Sequence, residues 1–131
     1  MRSIHDFEVK NMLRMANEAR DRAYAPYSNF RVGACLKGAT GAYYLGCNIE
    51  NAAYSVANCA ERTAMFKAVS EGAREFTAIA IASRDAAPWP CGACRQFLAE
   101  FAPDMEVLSA MGGGRYVSNR LSELMPYTFN Y

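Results

Sequence analysis

No apolar run in this chain of 131 residues approaches the roughly 20 residues that a helix needs to cross a bilayer. The opening segment, Met1-Arg2-Ser3-Ile4-His5-Asp6, has no apolar core of the kind a signal peptide carries. These two absences lead to the expectation of a soluble, cytoplasmic protein with no membrane partner. An excess of one charge is missing too, since 14 basic against 13 acidic residues leave a net charge of +1. A protein that grips phosphate backbones concentrates positive charge, so long nucleic acids are not expected partners. No internal repeat, linker or low-complexity stretch interrupts the sequence. The length suits one domain, residues 1–131, able to bury roughly two thirds of the unfolded chain's surface. Five cysteines make an odd number, which argues against a complete disulfide framework. In a reducing compartment a C-x-x-C pair serves a metal or a reaction more often than a disulfide.

The spacing of apolar residues sets out the elements. Ser3 and Asp6 form an S-x-x-D capping pattern ahead of Val9, Met12, Leu13, Ala16, Ala19 and Ala23, which recur at helical spacing until Pro26. Phe30, Val32, Ala34 and Leu36 alternate with Arg31, Gly33, Cys35 and Lys37, and Gly38-Ala39-Thr40-Gly41 leads into Ala42 to Cys47, a β-hairpin. Asn58 is placed to cap a helix that carries Ala60, Ala64, Met65, Ala68 and Val69 on one face and ends at Gly72. Phe76 to Ser83 predicts a buried strand, Cys91 to Phe101 a helix and Met105 to Met111 another strand. After Gly112-Gly113-Gly114, a short strand at Arg115 to Ser118 and a short helix around Leu121 to Met125 complete the order. Strand and helix alternate through the middle, which implies parallel pairing there beside the antiparallel hairpin. The expected fold is α/β, three layers in the order α/β/α around a mixed five-stranded sheet.

Two clusters carry the chemistry, Cys59-Ala60-Glu61 and Pro90-Cys91-Gly92-Ala93-Cys94. Both fall at predicted helix N-termini, where the partial positive charge of the backbone lowers thiol pKa values. Cys59, Cys91 and Cys94 together suit one zinc ion whose fourth position is open to water, the feature that separates catalytic zinc from closed structural sites. Glu61, two residues from a ligand, is close enough to handle protons on that water. Its plainer role is that of a first-turn acid complementing the helix dipole. Cys91 and Cys94 alone fit a redox pair equally well, and Trp89-Pro90-Cys91-Gly92-Ala93-Cys94 has a faint thioredoxin look with the proline misplaced. Adding Cys59 and Glu61 favours zinc. A closed four-cysteine site recruiting Cys35 or Cys47 stays open, although both sit in hairpin strands and suit small apolar packing. Charge counting singles out Arg62. Three thiolates and Zn²⁺ sum to −1, which opposes ionisation of a water, and the Arg62 guanidinium could donate to the Cys59 and Cys91 sulfurs. Otherwise Arg62 is a solvent-facing arginine. Asn48-Ile49-Glu50-Asn51 reads as a polar turn or, with an amide and a carboxylate on alternate positions, as a pair that holds sugar hydroxyls. His5 is most simply a surface residue. The triple glycine lacks the Lys-Ser/Thr ending of a phosphate loop.

The Cys-x-Glu segment followed by Pro-Cys-x-x-Cys resembles the signature of zinc deaminases. Phe30-Arg31-Val32-Gly33-Ala34, Gly46-Cys47-Asn48-Ile49-Glu50-Asn51-Ala52-Ala53-Tyr54, Cys59-Ala60-Glu61-Arg62-Thr63-Ala64 and Pro90-Cys91-Gly92-Ala93-Cys94-Arg95-Gln96 together resemble the small homotetrameric cytidine deaminases. The likeness runs from Tyr24-Ala25-Pro26-Tyr27-Ser28 to Glu123-Leu124-Met125-Pro126 and Phe129. It implies the cytidine deaminase-like fold and hydrolytic deamination of cytidine and 2′-deoxycytidine to the uridine products and ammonia, a pyrimidine salvage reaction. It also implies one Zn²⁺ per chain on Cys59, Cys91 and Cys94, with Glu61 as the proton carrier. Asn48 and Glu50 would bind the ribose 3′-hydroxyl, Phe30 would line the pocket and the backbone of Ala60 would contact the base. Ala52, Tyr54 and Phe129 would reach a neighbouring subunit's pocket, Phe129 stacking on the pyrimidine, so that the active sites of a homotetramer are shared. One departure is Trp89, where the family usually carries a small Ser. A blasticidin-type deaminase would share the zinc core, but the Asn48-x-Glu50 pair favours an ordinary ribose. A thiol oxidoreductase and a non-catalytic structural zinc module are the readings from other classes.

Overall fold

The computed structural model describes residues 6–83, 90 and 92–127. Its strands are β1 (Val32–Gly38), β2 (Tyr43–Cys47), β3 (Phe76–Ser83), β4 (Glu106–Gly112) and β5 (Arg115–Arg120), forming one sheet in the order β2-β1-β3-β4-β5. β3 and β4 are parallel and are separated in sequence by the helix α3 (Gly92–Phe101), whereas every other neighbouring pair is antiparallel. The mixed five-stranded sheet expected from the sequence is the one observed. Its mixture follows from the connections, because β1 with β2 and β4 with β5 are joined by tight turns while a parallel pair needs a crossover. Gly112, Gly113 and Gly114 take positive φ values of 90°, 63° and 78° in the β4–β5 turn, a run that residues with a Cβ rarely adopt.

Alternation along β3 decides what each face receives. Ala78, Ala80 and Ala82 point to one side and pack under α1 (Asp6–Arg20), together with Cys35 and Leu108, against Val9, Met12, Leu13 and Ala16. Ile79 and Ile81 point to the other side, where α2 (Ala60–Ser70), α3 and the one-turn α4 (Leu121–Leu124) bring Ala60, Ala64, Met65, Ala68, Leu98 and Leu121. Three layers result, α1, the sheet, then α2 with α3. Burying an Ile or Leu side chain is worth about 1.5–3 kcal/mol, and both isoleucines of β3 are fully buried.

Element ends differ from the sequence reading in an instructive way. The N-cap of α2 is Cys59, in extended conformation (φ −79°, ψ 158°), and not Asn58. Asn58 is unavailable because its backbone is paired with Ile49, so its amide reaches forward to the Thr63 hydroxyl at 3.4 Å while the Cys59 carbonyl accepts the first helical bond from Thr63 at 3.0 Å. β5 runs on to Arg120, since its pairing with β4 continues to Glu106. Ser3 of the expected first cap and His5 lie outside the described residues.

A polar clamp ties α1 to the hairpin. Tyr43 Oη donates to Glu8 Oε2 at 2.6 Å, and Lys37 Nζ lies 2.7 Å from the same oxygen. Burial first, and donation to Glu8 second, push the Tyr43 phenol up from 10.0 to about 12. A pKa raised in the folded state stabilises the fold fully below the unfolded value of 10.0 and loses that contribution as pH rises through about 12. Tyr43→Phe is therefore expected to delete an ionisation near 12 from the ultraviolet titration of the native protein and to flatten the alkaline fall in stability. Loss of an ionisation near the ordinary 10.0 instead would rule the clamp out.

Candidate functional site

Backbone pairing just beyond β2 brings the two halves of the candidate site together. Ile49 bridges Tyr24 in parallel and Asn58 in antiparallel fashion. The amides of Ile49 and Asn58 each donate to the other's carbonyl at 2.9 Å, and the Glu50 amide donates to the Tyr24 carbonyl at 2.8 Å. Asn48 and Glu50, on either side of Ile49, thus stand next to the residue that precedes Cys59.

One half is built from thiols at helix starts. Cys59 caps α2, and Cys94 is the third residue of α3 and fully buried. Arg62, one turn into α2, donates through Nη2 to Cys59 Sγ at 3.6 Å, and the charge of Cys94 also raises its pKa, after the Cys59 bond as the larger cause. It is half-buried, so the solvent-facing alternative does not hold. The sequence paired Arg62 with Cys59 and Cys91; the described sulfurs around it are Cys59 and Cys94. Glu61 is only 5% exposed. Burial pushes its carboxyl up from 4.5 to about 7, with its own backbone amide pulling down, the nearby Cys59 adding to the rise and Arg62 opposing it. Cys91 lies outside the described residues, and among the described residues no three His, Cys, Asp or Glu side chains gather.

The donor chemistry suits zinc. A helix N-terminus favours a thiolate over a thiol, and a guanidinium beside these two sulfurs would offset the negative charge that three thiolates leave on the ion. Arg62 Nε is buried with no hydrogen-bond partner among the described residues, so the guanidinium is held there by the sulfurs and by packing. Neither remaining described cysteine shares this face. Cys35 lies among the residues under α1, fully buried, and burial pushes it up to about 12. Cys47 is register partner to Gly33 and alternates with Gly46, which puts it on the α1 side as well.

The other half is a polar loop. Asn48 Oδ1 accepts from the Val32 amide and Nδ2 donates to the Phe30 carbonyl, both at 2.8 Å. Glu50 Oε1 accepts from the amides of Tyr27 (2.9 Å) and Ser28 (3.2 Å), and the Ser28 hydroxyl donates to Oε2 while accepting from the Phe30 amide at 3.0 Å. Phe30, Asn48 and Glu50 are therefore brought together, with Phe30 about half exposed at 48%. Ala60 is fully buried against the sheet. Ala52 is exposed, and Tyr54, in a one-turn 3₁₀ helix at Tyr54–Val56, is 92% exposed and makes no part of this cluster. Phe129 and Trp89 lie outside the described residues. Two positioning side chains were not singled out from the sequence. Ser28 acts on Glu50 from 22 residues away. Arg95 donates to the carbonyls of Pro90 and Leu124, both at 2.7 Å, tying the entrance of the C-x-x-C turn to the end of α4. A lone Ser or Arg carries no local pattern that reveals such distant partners.

Comparison with known proteins supplies the family. Residues 8–110 match the family model for the cytidine and deoxycytidylate deaminase zinc-binding region. A cytidine deaminase of Sporosarcina psychrophila is 46% identical over 125 residues, covering 94% of this chain and 92% of that protein. One from Halalkalibacterium halodurans is 48% identical over 120 residues, covering 90% and 91%. The crystal structure of cytidine deaminase from Burkholderia pseudomallei is similar with a TM-score of 0.86 at 44% identity, over 91% of this chain and 97% of that one. The chain belongs to the cytidine and deoxycytidylate deaminase family.

The Ser28 hydroxyl, ahead of the two backbone amides, holds the Glu50 carboxyl below its ordinary 4.5. A depressed value means the network is fully formed above the ordinary pKa and is lost as pH falls through the folded one. Ser28→Ala should move the Glu50 pKa upward toward 4.5 in a side-chain carboxyl NMR titration. A Glu50 titration that stays where it is would show that the hydroxyl does not hold the carboxylate.

Proposed function

We propose that this chain acts as one catalytic domain that hydrolyses cytidine and 2′-deoxycytidine to uridine, 2′-deoxyuridine and ammonia, a salvage reaction of the cytoplasm, with one Zn²⁺ on Cys59, Cys91 and Cys94. The observation that carries the reading is Glu61, a carboxyl kept out of water two residues from a thiol at a helix start and raised to about 7. Zinc, when bound, supplies the Lewis acidity that makes a water ionisable near neutral pH. Glu61 takes the water's proton and delivers it to ring N3. The water oxygen bonds to C4, and the same carboxyl then moves the proton of that new hydroxyl to the amine, so that the C4–N bond breaks, C4=O forms, and cytidine and water become uridine and ammonia. A pKa near neutrality suits a group that must both accept and give. Arg62 withdraws charge from the sulfurs.

Sugar recognition falls to the loop. The network spends one of the two Asn48 amide hydrogens and leaves a lone pair on Glu50 Oε2, so the pair retains capacity for the ribose 3′-hydroxyl. Phe30 lines the pocket, and the backbone of Ala60 meets the base. Ala52, Tyr54 and Phe129 complete a neighbour's pocket in a homotetramer. The exposure of Tyr54 at 92% and Val56 at 64% supports this, because large apolar groups at the surface gain from a partner chain.

Glu61→Gln is expected to keep the fold and the zinc while losing at least the ~10²–10⁴ in turnover that general acid–base steps contribute. Ammonia release from cytidine, measured beside metal content, reads this directly, and a variant with a tenth or more of parental turnover would exclude the role. Asn48→Ala and Glu50→Ala should raise KM with zinc intact, and free cytosine should be a very poor substrate. Equal turnover of cytosine and cytidine would refute sugar recognition by this pair. Sedimentation should give a homo-oligomer; a fully active monomer would remove the shared pocket.

A further inference from the structure

We infer that Gly46 is a positioning residue for the metal-binding half of the site, the seat on which the first turn of α2 rests. This rests on the assignment of Cys59 and Glu61 above and concerns a residue outside that set. Gly46 lies in β2, opposite Ala34 of β1, on the face covered by α2. A Cβ built on it would stand 2.4 Å from the Ala60 carbonyl oxygen, 2.5 Å from the Ala64 amide nitrogen and 3.0 Å from the Ala64 Cα. All three atoms belong to helix backbone, so no side chain can swing away to make room. The helix itself must move, by about 1 Å to restore ordinary contact. Ala60 lies between Cys59 and Glu61, and Ala60, Ala64 and Ala68, spaced one turn apart and fully buried, offer no bulk to absorb the shift.

The height of α2 over the sheet also sets the distance between the two halves of the site. Two residues beyond Gly46 the chain reaches Asn48, and at Ile49 it is locked by two backbone bonds to Asn58, the residue before Cys59. Lifting the helix at Ala60 while Asn58 stays pinned to Ile49 tilts the first turn about that pin. Cys59 and Glu61 then turn relative to Cys94, which is carried by a different helix. Metal sites hold their ligand distances to about 0.2 Å, and misplacement of about 1 Å can cost a reaction roughly 100-fold. A glycine here is thus required by the site and not only by packing.

Gly33 supplies a matched control. Its added Cβ would meet the Ala16 carbonyl oxygen at 2.0 Å and the Arg20 amide nitrogen at 2.4 Å, a collision at least as severe, but against α1 on the opposite face. Purified Gly46→Ala and Gly33→Ala proteins should lose comparable melting temperature. Zinc affinity, read by competition with a chromophoric chelator, should fall at least tenfold in Gly46→Ala only, with a kcat loss on the order of 100-fold. Gly33→Ala should keep both within about twofold of the parent. If Gly46→Ala does not fold, Ala64→Val widens the same contact from the helix side and should give the same loss of zinc affinity and kcat. Equal zinc affinity and equal kcat in the Gly46 and Gly33 variants, or in Ala64→Val and the parent, would overturn the inference. The parental protein and Cys59→Ala in the same titration test the site assignment separately: zinc uptake by the parent that Cys59→Ala retains unchanged sinks that assignment, and with it the role of the seat.

Discussion

The position of one helical turn governs this molecule's candidate chemistry. Residues 59 to 62 contribute a thiol, a carboxyl and a guanidinium within four consecutive positions, and each has a different demand on its surroundings. The thiol needs the helix N-terminus, the carboxyl needs to be kept from water, and the guanidinium needs sulfur within reach. Only a helix that starts at the sheet surface and immediately runs inward meets all three. The Ile49–Asn58 bridge fixes where that helix starts, and the alanine-lined face of α2 allows it to descend on β2. The remaining elements, α1 included, hold the sheet against which this turn is measured.

Much of this was readable from residue order because the signals are local. The apolar run of β3, the hairpin, the glycine turn and the pairing of a cysteine with an acid two residues later all lie within short windows, and the structure follows them. What could not be read depends on contacts between distant segments. Asn58 has every property of an N-cap, yet tertiary pairing with Ile49 takes its backbone and shifts the cap to Cys59. Ser28 and Arg95 act on partners that no periodicity brings near. The two faces of β3 show the same limit. Alternation announces two faces, but that the alanine side takes one helix and the isoleucine side takes the others emerges only from the packed sheet.

Arg62 illustrates how burial and charge are balanced in the thiol half. A half-buried guanidinium whose Nε has no partner among the described residues is costly in isolation, and the negative charge of a thiolate kept from water would be costly too. Side by side each offsets the other. Glu61 shares their helix turn but not their solution, since its dominant influence is exclusion from water, and its charge is thereby disfavoured where theirs is supported.

The loop between Tyr27 and Val32 has a kinetic meaning. Its amides at Tyr27, Ser28, Phe30 and Val32 are all engaged by Ser28, Asn48 and Glu50, and Asn29 holds a left-handed turn at φ 59°. The entropy of ordering this segment is met when the chain folds, so an arriving molecule does not have to freeze it. Encounter with such a rigid mould resembles collision with a fixed surface, and arrival rates vary little among ligands of similar size. If the loop holds a sugar as proposed, ligands that differ in one hydroxyl are told apart chiefly by residence time, the better-matched one staying longer.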